Sequence, residues 1–102
     1  MVPLIRDNLD AIIELCRQHK VRRLFLIGSA TGEGFDPDHS DVDFLVEFEP
    51  HESAGYNDDY FQLLEGLKAV LGREVDLIEA HAQRNPYLIA SLNRTKKVLY
   101  AA

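Results

Sequence analysis

The sequence predicts an α/β fold of the α+β kind, with a small mixed β-sheet packed against helices. Three observations predict it. Segments with a helical apolar period alternate with short apolar runs of strand length. Clusters of Gly, Asp and Pro punctuate those runs. The order reads helix, strand, strand, helix, strand, helix, which is the pattern of a layered domain. At 102 residues the chain is expected to form one domain, 1–102.

Ile5, Leu9, Ile12 and Cys16 recur at helical spacing. Pro3 to Lys20 is therefore expected as one amphipathic helix, with Pro3 in its first turn. Arg22 to Ile27 follows as a strand, and Leu24-Phe25-Leu26-Ile27 reads as buried on both faces. Gly28 to Ser40 is rich in Gly, Asp and Pro and reads as a loop. Asp41 to Phe48 is the second strand. Its alternation puts Val42, Phe44, Val46 and Phe48 on one face and Asp41, Asp43, Leu45 and Glu47 on the other. Glu49 to Gly55 is a polar connection. Asp58 or Asp59 opens the next helix, with Tyr60, Phe61, Leu64, Leu67 and Leu71 as its buried stripe and Gly72 as its end. Glu74 to Ile78 is a third strand; Val75 and Leu77 share one face, and Glu74, Asp76 and Ile78 the other. Asn85-Pro86 starts a final helix through Leu92. Lys96 to Tyr100 closes the chain as a short extended tail.

A net charge of −6 argues against general nucleic-acid binding, which needs a basic patch. It leaves room for a small anionic ligand held through metal ions. No apolar run approaches the ~20 residues that span a bilayer, so no membrane is expected. Arg6, Asp7 and Asp10 interrupt the N-terminal stretch, unlike a signal peptide. The single cysteine, Cys16, cannot form an internal disulfide and lies on the apolar side of its helix. A cytoplasmic setting is the simplest expectation.

The unusual feature is a pair of acids in an apolar strand, since a buried unpaired carboxylate is costly. Asp41 and Asp43 share a face, with side chains about 7 Å apart at ~3.4 Å per residue. Asp76 is a third acid in a short apolar strand.

Gly28-Ser29, then Asp41-x-Asp43, then Asp76 in a later strand resembles the minimal nucleotidyltransferase family of the polymerase-β superfamily. That family's pattern is an apolar strand, Gly-Ser, about ten loop residues, Asp-x-Asp in a strand and a third Asp in a later strand. The resemblance runs from the first helix to the Lys96-Lys97-Val98-Leu99-Tyr100 end. It departs in the glycine loop. Most minimal members continue Gly-Ser-x-Ala-Arg-Gly, whereas this chain reads Gly28-Ser29-Ala30-Thr31-Gly32-Glu33-Gly34. The arginine is absent, an acid lies near its place, and the loop is one residue longer.

The resemblance implies a polymerase-β-like nucleotidyltransferase core. It implies that Asp41, Asp43 and Asp76 are the catalytic acids and the ligands of Mg²⁺ (or Mn²⁺). In the family's arrangement Asp41 and Asp43 bridge both ions, and Asp76 serves the ion that activates the attacking hydroxyl. Nucleotidyl transfer typically uses two ions ~3.5–4 Å apart. Hard ions take oxygen ligands, and one or two carboxylates plus substrate phosphates suffice. Gly28, Ser29 and Ser40 are expected at the nucleotide. Gly28 lets the backbone approach phosphate, and Ser29 offers a hydroxyl and an N–H. Each acid alone would be read as a turn cap or a water-facing residue; the trio after Gly-Ser reads as a metal site.

The resemblance further implies ATP as substrate and a cognate helical partner of the HEPN type, as in a toxin–antitoxin pair whose antitoxin moves AMP onto a tyrosine of its toxin. An alternative is a catalytically inactive binding module on the same fold; the altered loop favours it and the intact trio opposes it. A regulatory subunit of a larger assembly is a third reading. Homo- and hetero-oligomers both stay open. Glu47 and Glu74 are expected to support the site or face water. His19, His39, His51 and His81 lack zinc-ligand spacing. Lys96 and Lys97 are expected in solvent, and Tyr56 and Tyr60 in the core or at its rim.

Overall fold

Asn8 breaks the expected first helix in two. Its side-chain Nδ2 donates to the Leu4 carbonyl at 2.8 Å, and its backbone sits at φ −112°, ψ 10°. Asn competes with helical bonding by such local hydrogen bonds. In this computed structural model, which describes residues 2–32, 36, 40–50, 56–80 and 85–102, the result is α1 (Pro3–Asp7) followed by α2 (Leu9–Gln18). Ile5, Ile12 and Cys16 still point inward and are fully buried.

The chain continues through β1 (Val21–Ile27), a 3₁₀ turn (Gly28–Thr31), β2 (Val42–Phe48), α3 (Tyr56–Leu71), β3 (Val75–Glu79), α4 (Pro86–Thr95) and β4 (Lys97–Ala101). The expected tail is thus a fourth strand. The sheet order is β3-β2-β1-β4. β1 pairs antiparallel with β2 and with β4, while β2 and β3 run parallel, so the sheet is mixed. α3 makes the crossover that a parallel pair requires.

The interior place of β1 explains its continuous apolar run. Leu24 and Leu26 join Ile5, Ile12, Cys16, Phe44, Leu63 and Leu67 in the main core under α1–α3. Phe25 and Ile27 face the other way and meet Leu45, with Ile78, Ala80 and Leu92 packed beside them. β2 alternates as expected, with Val42, Phe44, Val46 and Phe48 in the main core.

The stripe of α3 corrects the sequence expectation at Phe61. Leu63, Leu67 and Leu71 are buried in line, with Tyr60 and Leu64 partly covered, whereas Phe61 is 60% exposed. At 3.6 residues per turn Phe61 lies off that line, and its ring instead meets Tyr60 edge-on, centroids 5.3 Å apart. Gly72, at φ +66°, ends the helix, and its N–H bonds the Lys68 carbonyl. Asn85 caps α4 by accepting from the Tyr87 and Leu88 N–H groups at 2.9 and 3.4 Å. α4 runs past the expected Leu92 to Thr95 and has no buried residue. Among the described residues no helix is long and apolar enough to cross a membrane.

Candidate functional site

The site forms at one end of the sheet, where β1 ends and β2 and β3 begin. Asp43 stands opposite Ile27 on one side and opposite Asp76 on the other. Neighbouring strands lie ~4.8 Å apart and paired residues share a face, so the two carboxylates are neighbours. Asp41 lies just ahead of β2, two residues before Asp43. The electrostatics agree. Burial, and then the negative charges of Asp76 and Asp41, push the Asp43 carboxyl above its ordinary value. Asp43 is half-buried; Asp41 and Asp76 are exposed. The structure therefore sets Asp43 beside Asp76, with Asp41 within electrostatic reach of Asp43.

Gly28 sits directly against them. Its φ is +73°, and an added Cβ would land on the Asp43 carboxylate, 3.3 Å from Cγ and closer to Oδ2. Only glycine meets both conditions without strain. The turn that follows closes on itself: Thr31 Oγ1 donates to the Gly28 carbonyl at 2.7 Å, and the Gly32 N–H to the Ser29 carbonyl at 3.3 Å. Buried Ala30 anchors it in the core, leaving Ser29 half-buried beside Gly28.

Ser40 lies where expected, just before Asp41. Its Oγ accepts from the Asp36 N–H at 2.9 Å, and its own N–H donates to the Asp36 carbonyl at 2.9 Å. Accepting that bond leaves the hydroxyl proton to donate elsewhere. Its carbonyl accepts from Arg73 Nη1 at 3.2 Å. Sequence reasoning passed over Arg73, whose only signal was a basic residue just ahead of an acid-bearing strand. Together with the Val42 N–H to Glu74 carbonyl bond of 3.3 Å, Arg73 ties the start of β2 to the start of β3.

Tyr60 was expected in the core or at its rim, and the structure gives it a more specific place. Its hydroxyl donates to the Leu77 carbonyl at 2.5 Å, on the strand that carries Asp76. Burial, then Asp76 and Glu79, push the phenol above its ordinary value. The two lysines expected in solvent both have partners. Lys97 Nζ donates to the Thr31 carbonyl at 2.5 Å and braces the turn, and Lys96 Nζ lies 4.3 Å from the centre of the Phe25 ring.

The remaining candidates stand apart from the acids. Glu47 pairs with Arg23 at 2.7 Å and Arg22 at 3.8 Å, far along β2 from Asp43. Glu74 is exposed and lies 3.6 Å from Lys68 Nζ. His19 faces Asp59 at 3.8 Å between α2 and α3. Cys16 is buried, and burial pushes its thiol up to about 12, which leaves it inert. Glu33, Gly34, His39, His51, His81 and the side chain of Tyr56 lie outside the described residues.

Among the described residues, no three His, Cys, Asp or Glu side chains converge closely enough to hold an ion by themselves. The donors present are hard oxygens, and Mg²⁺ takes one or two carboxylates with phosphates and water completing its shell. The acid trio fits an ion that arrives with a phosphate ligand.

Comparison with known proteins adds a family. A family model described as Polymerase beta, Nucleotidyltransferase matches residues 10–102. A Methanocaldococcus jannaschii protein, named as an inferred protein adenylyltransferase, is 36% identical over 94 residues, 83% of this chain and 91% of the relative. A second, so named and from the same organism, is 37% identical over 79 residues, 76% of each chain. Among solved structures, an inferred minimal nucleotidyltransferase superposes with a TM-score of 0.74 at 29% identity, covering 91% of this chain and 90% of that one. A toxin–antitoxin structure with AMP-PNP has a TM-score of 0.70 at 24% identity, covering 93% and 74%. A tri-AMPylated Shewanella oneidensis HEPN toxin in complex with an MNT antitoxin gives 0.66 at 22%, covering 95% and 72%. These last two likenesses are of fold.

Proposed function

Because the chain belongs to the polymerase beta nucleotidyltransferase family, we propose that it moves AMP from ATP onto a hydroxyl of a partner protein, with a divalent ion, Mg²⁺ or Mn²⁺. The observation that carries this reading is the register of Asp43 opposite Asp76, with Asp41 beside them and the Gly28 backbone against Asp43.

In this reading Asp41, Asp43 and Asp76 hold the metal, which when bound supplies charge stabilisation at the reacting phosphate. The acids also exclude like charge from their face until that ion is present. Gly28 and Ser29 receive the triphosphate: the backbone comes close because no side chain intervenes, and Ser29 donates its hydroxyl and N–H. A turn of N–H groups binds an anion without a basic side chain, which suits a loop that lacks the family's arginine. Ser40 donates its remaining proton to a phosphate oxygen. Arg73 and Tyr60 hold the two acid-bearing strands in place, and Lys97 holds the turn.

In this reading the acceptor comes from outside: Tyr60, the tyrosine that Asp76 acts on, spends its hydroxyl proton on the Leu77 carbonyl. A docked partner would present its hydroxyl as a positioned nucleophile. A helical protein of the HEPN type is the proposed partner, in the cytoplasm, as in a toxin–antitoxin pair. The AMPylated HEPN toxin seen with a structural neighbour supports this. The charge of −6 would steer association with a basic, RNA-binding partner.

A second reading is a binding module that has lost catalysis. The missing loop arginine favours it; the assembled acids oppose it. Co-expression with the HEPN-type partner, followed by intact-mass measurement, separates the two. The partner gains the mass of AMP beside the wild type and gains none beside Asp41→Asn/Asp43→Asn. A partner bound tightly but never labelled, and neutralised equally by both proteins, leaves the binding module.

A further inference from the structure

The glycine loop poses a charge problem. A triphosphate is strongly negative, and so is its setting: Asp43, against Gly28, already feels the charges of Asp76 and Asp41. Yet no lysine or arginine stands anywhere between Arg23 and Lys68. Counted from Gly28-Ser29, the family's loop arginine would fall at Gly32, and an acid, Glu33, follows it. A cation can reach this turn only from another part of the chain.

Lys97 does so. β4 runs antiparallel to β1, and Lys97, its first residue, stands opposite Leu26, two residues before Gly28. From there its Nζ donates to the Thr31 carbonyl at 2.5 Å, across 66 residues of sequence. Thr31 is the residue before Gly32, so the ammonium lies next to the place where the family pattern carries its arginine. Ser29 is two residues back, ~4 Å along the turn at ~2 Å per residue.

The other described cations near the sheet are committed elsewhere. Arg22 and Arg23 lie against Glu47, Lys68 lies between Glu65 and Glu74, Arg73 holds the Ser40 carbonyl, and Lys96 covers the Phe25 ring. Arg84 lies outside the described residues. Lys97 has no carboxylate partner among the described residues. Its ammonium carries three donors and spends one on Thr31, which leaves two for an anion. The ground at Gly32 is open, since a Cβ built there meets nothing within 4 Å.

We infer that Lys97 is a phosphate-binding residue, which brings from β4 the cation that the glycine loop lacks and holds the outer phosphates of the triphosphate beyond Ser29. The inference rests on the proposed transfer activity and deepens it by naming a further group on the ATP.

Isothermal titration with Mg²⁺–ATP tests it. Lys97→Met weakens binding about tenfold, the low end for a hydrogen bond to a charged group because the ammonium is exposed. It also flattens the salt dependence of binding. Gly32 has an extended φ of −172° and free space at its side-chain position, so an arginine fits there. Lys97→Met/Gly32→Arg restores the affinity, which a lysine acting only as a brace on Thr31 would not allow. Wild-type affinity in Lys97→Met, or a loss that Gly32→Arg fails to restore, overturns the assignment. The transfer reading is scored separately, by intact mass of a co-expressed HEPN-type partner. ATP binding with this pattern, but no AMP on the partner, keeps Lys97 at the phosphates and removes the enzymatic reading. Labelling by Lys97→Met as fast as by the wild type at limiting ATP keeps the enzyme and removes Lys97.

Discussion

Gly28 and Asp43 occupy one shared space: a side chain at 28 would displace the carboxylate at 43. The glycine is also held at φ +73°, where other residues are strained by ~1–2 kcal/mol. The close approach and the backbone angle come from the same residue, so the phosphate-facing turn and the central acid are coupled.

Gly28→Ala is therefore expected to lose about 1–2 kcal/mol of stability in a denaturant melt. It should lose far more in function, because Asp43 must swing away. Mn²⁺-dependent ATP binding by the folded variant is the measurement. Retained wild-type affinity would show that Asp43 does not need its present position.

Asp43→Asn is expected to stabilise the metal-free protein at neutral pH. The sign follows from the raised carboxyl value. The folded state holds this proton more tightly than the unfolded chain. Its contribution is present at acid pH and is lost as pH rises through the folded value. The amide removes that penalty. The same change abolishes the Mn²⁺-induced stabilisation, which reaches ~2.7 kcal/mol in the wild type at 100 times the dissociation constant. Thermal melts with and without Mn²⁺ read both effects, and an unchanged metal-induced shift would place the ion elsewhere.

Ser29→Ala should weaken Mg²⁺–ATP binding by ~1.5–3 kcal/mol, the value of a hydrogen bond to a charged group. Isothermal titration tests it. Equal affinities would mean that the hydroxyl does not touch the phosphates.

Cys16 supplies a control far from the acids. Its thiol moves from 9.0 in the open chain to about 12 in the fold. The neutral thiol is favoured by folding, so this contribution is intact below pH 9.0 and fades as pH rises toward 12. Iodoacetamide at pH 9 should label the urea-unfolded chain and spare the folded one. Equal labelling rates would contradict the burial.

The parts legible in the sequence were those set by local pattern. The apolar run Leu24–Ile27 marks an interior strand because both of its faces are covered, and the alternation after Asp41 marks β2 because only one of its faces is deeply apolar. That alternation also put Asp41 and Asp43 on one face. What pattern could not supply was pairing across the chain. The register that sets Asp76 beside Asp43 depends on a crossover through α3, and the tail became β4 because β1 had an open side. Arg73 and Tyr60 act on backbone carbonyls far away in sequence, at Ser40 and Leu77, so neither spacing nor composition marked them. Asn8 and Phe61 were misread for local reasons: a side-chain bond outcompeted the helix at one, and the phase of the buried line excluded the other.

β4 also protects the protein from itself. It contributes only Leu99 to the buried core and is held mainly by its ladder to β1, extended by the bond from the Ala102 N–H to the Arg22 carbonyl. Without it the run Leu24-Phe25-Leu26-Ile27 would become a bare edge, uncharged and free of proline, which is the composition from which cross-β aggregates grow. β4 is the outer strand on this side of the sheet, and its ladder to β1 is what keeps that run paired. Loss of this one strand would thus expose an aggregation-prone edge on the side of β1 away from the acids.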